Sequence, residues 1–226
     1  MTTTQRRYYT LVASLPHLAR FDTLVRLPIS ADRLRDRLTL LHPDDRAVAE
    51  SALDFLAWQR QPADNTDEAV LLHFRELRAR HPSGLLCSFA EFRLTVRTVM
   101  AALRRQCSGQ AMPGPEWGVP AWTSYAARHP AERNHRLEAW FPWVPRARAL
   151  LEANDTAALE RLLMGLVWDH LGSLPMDHAF AFDAVLVYLF KWDIADRWLR
   201  QDESRAAARL EREIARTIAG HLGPYA

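Results

Sequence analysis

Apolar residues recur at three- and four-residue spacing along most of this chain, the pattern of helices with one buried face. One stretch reads otherwise. Residues 8–15 are β-rich and stop at Pro16, which makes them the best strand candidate. After them helical signals dominate. Ser30 followed by Asp32 predicts a helix ending before Pro43. Pro43 with Asp44 and Asp45 suits a second start, because proline's missing N–H is not needed there and acids meet the positive end of the dipole. That helix is expected to run to about Arg60. Thr66, Asp67 and Glu68 open the next, with Val70, Phe74 and Leu77 on one face and a stop near Pro82. Ser88 and Glu91 have capping-box spacing before the stripe Phe89, Phe92, Val96, Val99, Met100 and Leu103, and Gly109 closes that helix.

The clearest break follows. Residues 108–122 are rich in glycine and proline and carry Trp117 and Trp122, so they are a candidate boundary between subbundles 1–107 and 123–226. Residues 123–153 read as short helices interrupted by Pro130, Pro142 and Pro145. Asp155 or Thr156 caps a helix with Leu159, Leu162, Leu163, Leu166, Val167, His170 and Leu171 on one face, closed by Gly172 and Pro175. The 177–200 segment is apolar all round from Ala184 to Phe190 and is expected at the centre of its bundle. A separate last helix, 204–222, has the narrow stripe Leu210, Ile214 and Ile218. The expected fold is all-α: a compact multi-helix bundle forming one domain over 1–226, with a short extended N-terminal segment.

Composition supports a globular chain and narrows its chemistry. Of 226 residues 49% are hydrophobic and 25% charged, and the formal net charge is only +2. No strong field selects nucleic acid or an anionic membrane, and acids interspersed with arginines suggest solvated helix faces. Cys87 and Cys107 lack metal-site spacing and read as reduced thiols of a cytoplasmic protein. Leu11–Leu15 is too short to cross a bilayer, so membrane association is expected only through a partner. No GxxxxGK[ST] occurs among the eight glycines, which argues against nucleotide hydrolysis. No cofactor is expected.

Three groups of residues remain as candidates. Asp169-His170 and Asp177-His178 would supply ligands for an all-α metal-dependent hydrolase, although His170 also completes an apolar stripe and sits where a histidine complements a helix C-terminus. Lys191 is the only lysine among 29 basic residues, and Val187, Tyr188, Ile194 and Ala195 surround it on its helix. A buried ammonium needs a paired charge, such as Asp183 or an acid elsewhere, a partner protein, or in a third reading Schiff-base chemistry. Arg93, Arg97, Arg104 and Arg105 share their helix with a single acid, Glu91, and form either a solvated face or a docking face for an acidic protein. Among 22 aromatics, Trp117, Trp122, Trp140, Phe141 and Trp143 lie near prolines, where they serve either a core or an interface. The candidate partner-binding set is therefore Arg93, Arg97, Arg104, Trp117, Trp122 and Lys191.

Two terminal segments carry a family resemblance. The first is Arg7-Tyr8-Tyr9-Thr10-Leu11-Val12-Ala13-Ser14-Leu15-Pro16. The second runs from Val185 to Trp198 and includes Tyr188, Lys191-Trp192 and Arg197-Trp198. Together they resemble the DUF2764 family, an uncharacterised bacterial family whose genes accompany V/A-type ATPase subunits. Trp192 departs from that family's usual aliphatic residue after the lysine. The resemblance implies a non-enzymatic subunit or accessory factor, similar to the helical socket that joins the central stalk to the membrane rotor ring. It implies central-stalk and rotor-ring subunits as partners, a location peripheral to the membrane through that complex, and a folding role for Tyr8, Tyr9, Leu15, Pro16, Tyr188, Arg197 and Trp198. A generic helical scaffold is the remaining alternative.

Overall fold

The computed structural model describes residues 6–56, 67–80, 84–112, 117–176 and 178–221, with side chains described except at 55–56, 67–68, 73, 77–78, 80 and 202–221. The fold is all-α. Its helices are α1 (Tyr9–Ser14), α2 (Ala31–Leu38), α3 (Pro43–Leu56), α4 (Asp67–Arg80), α5 (Gly84–Cys107), α6 (Pro120–Arg128), α7 (Val144–Glu152), α8 (Thr156–Ser173) and α9 (Phe182–His221), with 3₁₀ segments at Phe21–Thr23 and Arg133–Ala139. Among the described residues no helix is long and apolar enough to cross a membrane.

Local chemistry accounts for most of the boundaries. The Ser30 side chain accepts from the Arg33 N–H and caps α2, and Asp155 does the same for α8 through the Ala158 N–H. Pro43 opens α3 with Asp44 and Asp45 in its first turn. The last turn of α5 closes on Gly109 at φ +67°, where the Gln110 N–H donates to the Arg105 carbonyl at 2.9 Å and the Gly109 N–H to Gln106 at 3.3 Å. That pair of bonds is a Schellman motif, which favours glycine because the left-handed position is free of a Cβ there.

Three sequence expectations need correction. Residues 9–14 are helical, not a strand: only Arg7 pairs with extended backbone, in a bridge to Ala181, so the segment satisfies its own hydrogen bonds while burying Leu11. Ser88 caps nothing, because α5 is already helical from Gly84 and Leu85 and Leu86 extend its buried face backward. The expected break between residues 200 and 204 is also absent. The final helix is a single 40-residue element that starts at Phe182, since neither glycine nor proline interrupts it before Gly220 and Ser204 is tolerated in its interior. The expected ends at Arg60 and Pro82, the start at Thr66, and the side chains of Leu77, Leu210, Ile214 and Ile218 lie outside the described residues.

Buried apolar side chains form two clusters. The first draws on residues 11–94 and again on 164–195, centred on Phe21, Leu86, Phe89, Leu171, Leu186 and Phe190. The second, nested between them in sequence, spans 96–159 and includes Val99, Leu103, Trp117, Ala126, Leu137, Val144 and Leu159. Helix α5 supplies its first half to one and its second half to the other, and α8 passes between them in the opposite sense. Both flanks of the 108–122 loop belong to the second cluster. Among the described residues the two clusters are therefore nested in sequence.

Candidate functional site

The first resemblance-bearing segment docks at the start of α9, the helix that carries the second. The Tyr8 N–H donates to the Phe180 carbonyl at 2.7 Å, just before α9, and the Tyr8 ring lies 6.4 Å from that of Phe182. The Tyr8 hydroxyl donates to the Asp45 carboxylate at the start of α3 and accepts from the His42 N–H at 3.3 Å. Burial, reinforced by the bond to Asp45, pushes this phenol up to about 12. Arg6 adds contacts to Asp44 at 3.4 Å and Asp45 at 3.2 Å. Tyr9 points outward and packs its ring on Phe180 at 4.8 Å. Leu15 and Pro16 are half-buried where the chain leaves α1, and Leu15 packs on the first core. One turn of helix thus pins α9 to α3.

Further along α9 the other motif residues face the same core. The Tyr188 hydroxyl is sealed from water without a hydrogen-bond partner among the described residues, and burial pushes its pKa up to about 12 while Arg37 opposes the shift. The Trp192 indole N–H donates to the Ile29 carbonyl at 3.0 Å. Arg197 pairs with Glu160 of α8 at 2.7 Å, and the Gln201 amide donates to the same carboxylate at 2.7 Å. Trp198 meets Phe21 edge-on at 5.3 Å, with Arg161 over its face at 5.9 Å.

Lys191 lies on the α8 side of α9. Its ammonium sits 5.2 Å from the centre of the Trp168 ring, close enough for a cation–π attraction. Among the described residues it makes no ion pair, with Asp183 or any other acid. Burial lowers its pKa, partly offset by the field of Asp169. Asp169 itself is held by Arg20 at 2.5 Å, and Arg20 also reaches Asp22 at 3.2 Å.

Asp169 and His170 do not converge. Adjacent residues on a helix point about 100° apart, as 3.6 residues per turn requires. Asp169 accordingly turns to Arg20, whereas His170 stacks against Phe92 at 3.8 Å and beside Phe89 at 6.3 Å. The buried His170 Nε2 has no hydrogen-bond partner among the described residues, and desolvation lowers its pKa. His178 is exposed, and Asp177 lies outside the described residues. No group of three or more metal-ligating side chains occurs among the described residues.

The arginines of α5 separate by depth. Arg93 is drawn into the α5–α9 contact. Its Nε is sealed from water, and burial, then repulsion from Arg197, brings its pKa down to about 10 against the attraction of Asp193. Arg97 is half-buried and Arg104 exposed. Trp117 is a core residue, 8% exposed, whereas half-buried Trp122 packs against Tyr125, Phe141 and the 61%-exposed Trp140. The partner-binding candidates are thus spread over both clusters rather than gathered on one face.

The pattern of the sequence does not reveal a polar hub in the second cluster. Asn134, His135 and Arg136 have φ of 55°, 51° and 57°, a left-handed run of three non-glycine residues. The Gln106 side chain accepts from the Asn134 N–H at 3.0 Å and donates to the Glu132 carbonyl at 2.8 Å. Arg148 donates to the same Gln106 oxygen at 2.5 Å and bonds Glu152 at 2.7 Å. His135 is buried, with Nδ1 3.0 Å from the His129 carbonyl and Nε2 without a partner. Only Asn134, a residue tolerant of left-handed backbone, hints at this turn in the sequence. The hub ties together the end of α5, the connection to α7, and α7 itself, and its bonds run to backbone and to one another in the manner of a structural brace.

Neither family models nor curated proteins nor solved structures provide a match to this chain. The resemblance therefore rests on the two terminal segments alone.

Proposed function

We propose that this chain is a non-enzymatic subunit or accessory factor of a bacterial V/A-type ATPase, working as a helical socket between central stalk and rotor ring. The observation that carries this reading is that the first segment docks at the start of α9, the helix that carries the second, through Tyr8 with Phe180 and Phe182, and that Leu11 and residues 185–190 belong to one buried core. Residues matched at opposite ends of a chain have a common physical reason when they build one core. Here that reason is docking α9 onto the N-terminal helices. The part asked of such a protein is mechanical. Close-packed helices transmit force because packed interiors deform little, and α5 and α8 each run through both cores. Helix α9, at 40 residues, spans about 60 Å at 1.5 Å per residue, long enough to reach beyond the core it anchors. The partners are central-stalk and rotor-ring subunits, met through surfaces whose charge sets orientation and on-rate. Membrane location follows from the complex.

Affinity purification of the tagged chain from membranes of its native host tests this reading. Stoichiometric recovery of V/A-type ATPase subunits, abolished when the peripheral subunits are stripped, is the expected result. Recovery of the chain alone, from cells in which that ATPase is assembled, would overturn it and leave a helical scaffold with other partners.

A further inference from the structure

Lys191 differs in kind from every other basic side chain of this protein, because 28 of the 29 are arginines and it alone carries a primary amine. Arginine stays protonated at neutral pH even when buried, whereas lysine releases its proton more readily when water is withdrawn from it. The surroundings of Lys191 withdraw water without supplying a counter-ion. Trp168 covers one side at 5.2 Å. The acid whose field reaches the amine, Asp169, is already held by Arg20 at 2.5 Å. Asp193, two residues along α9, acts instead on Arg93. Gly172 lies beside the amine on α8 and places no side chain over it; a Cβ there would stand 3.5 Å from Nζ. The residue is half-buried, so it also keeps a route to solvent.

We propose that Lys191 is a modification site, a nucleophilic amine that takes acyl groups from small activated donors of the acyl-phosphate class. In the reaction the neutral amine adds to the acyl carbon and the C–O bond to phosphate breaks. Inorganic phosphate leaves with that electron pair, and the surplus proton on nitrogen passes to solvent. An amide replaces the amine, with no change of oxidation state. Burial lowers the proton affinity of Lys191 and so raises the share of the neutral, reactive amine over that of an exposed lysine. The product is uncharged, so acylation removes the attraction to the Trp168 face and to Asp169 and loosens the contact between α8 and α9. The site holds whether or not the chain joins an ATPase.

The presence of one lysine makes the test direct. The intact folded protein is treated with acetyl phosphate at pH 7.5, and acetylation of Lys191 is followed by peptide mass spectrometry against the same chain in concentrated urea. The expected result is acetylation several-fold faster in the folded protein. A folded rate equal to or below that of the unfolded chain would overturn the proposal, since it would mean a shielded, fully protonated ammonium. Asp169→Asn gives a second readout. Removing the charge that favours the ammonium should raise the folded rate further, and an unchanged or lower rate would count against a site-tuned amine.

Discussion

The two cores are built in different ways. In the first, large aromatic and aliphatic side chains from both ends of the chain interlock: Phe21 touches Trp168 at 5.7 Å and Trp198 at 5.3 Å, and Phe89 touches Phe190 at 4.8 Å. Its ion pairs, such as Arg20–Asp169 and Arg161–Asp22, lie at the margins. In the second, the packing is threaded by side chains that bond to backbone. Thr98 accepts from the Val119 N–H at 3.0 Å while donating to the Leu94 carbonyl, and Gln106 steers the left-handed turn. The first is specified mainly by burial, with hydrogen bonds such as those of Tyr8 and Trp192 at its edge. The second depends on particular hydrogen bonds and on a backbone run that L-residues disfavour by roughly 1–2 kcal/mol each.

Because α5 and α8 belong to both cores, the two should nevertheless unfold together. Leu186→Ala in the first and Leu103→Ala in the second each empty a fully buried site and should each cost ~2–5 kcal/mol. Urea titrations followed in parallel by far-UV circular dichroism and tryptophan fluorescence should show one coincident transition for each variant, moved to lower urea. Two separated transitions in either variant would mean that the nested region melts on its own.

Gly118→Ala probes the second core alone. A Cβ at this position would approach the Thr98 methyl carbon at 2.7 Å and its hydroxyl still more closely, where the Val119 N–H bond leaves little freedom to move. Overpacking of this kind should cost ~1–3 kcal/mol. Thr98→Ala made alone loses a buried hydrogen bond, yet combined with Gly118→Ala it should be less harmful than the two losses added. A double-mutant cycle in urea checks the sign of that coupling.

The contrast also explains what can be read from the sequence. The helices with a broad apolar stripe are legible because burial fixes them: α2, α3 and α8 start where their caps put them, and the 184–190 stretch is helical and largely buried as its pattern implies, although α9 begins at Phe182 rather than at 177. Residues 9–14 are not, because Thr10 and Val12 suit strands, while the missing ladder partner is a tertiary fact. Ser88 misleads for a similar reason, since the burial of Leu85 and Leu86 overrides a local capping signal. Of the candidate site, the docking of Tyr8 at the start of α9 follows from no spacing in either segment. Lys191 stands out in the sequence by its isolation among apolar neighbours, but its resting place on Trp168 does not, because that requires the register of α8 against α9.

His170 offers a pH handle on the first core. Its proton affinity is lowered in the folded state, with stacked Phe92 on one side and no acceptor for Nε2. Above its ordinary value of 6.5 the ring is neutral both folded and unfolded, so stability is at its full level. As pH falls below 6.5 the unfolded chain takes up a proton that the folded chain refuses, and stability declines until the lowered folded value is passed. Urea midpoints measured from pH 7.5 down to 5 should therefore fall, and His170→Phe, which keeps a flat ring on Phe92, should flatten that slope. An equally steep slope in the variant would assign the acid sensitivity to other groups.

The smallest expected effect lies in the second core and has the opposite sign. Arg136 is exposed and closes the left-handed run at φ 57°. Glycine adopts this conformation without a Cβ penalty but gives up more chain entropy on folding, by about 0.5–1 kcal/mol relative to alanine. The relief of ~1–2 kcal/mol per left-handed L-residue exceeds that loss, so Arg136→Gly should raise stability by up to ~1 kcal/mol. Arg136→Ala removes the same side chain and keeps the strain, so it should bring no gain. Comparing the two urea midpoints separates backbone conformation from side-chain charge. If alanine stabilises as much as glycine, the arginine's charge rather than its φ is what burdens the turn, and the second core is less strained than its backbone angles imply.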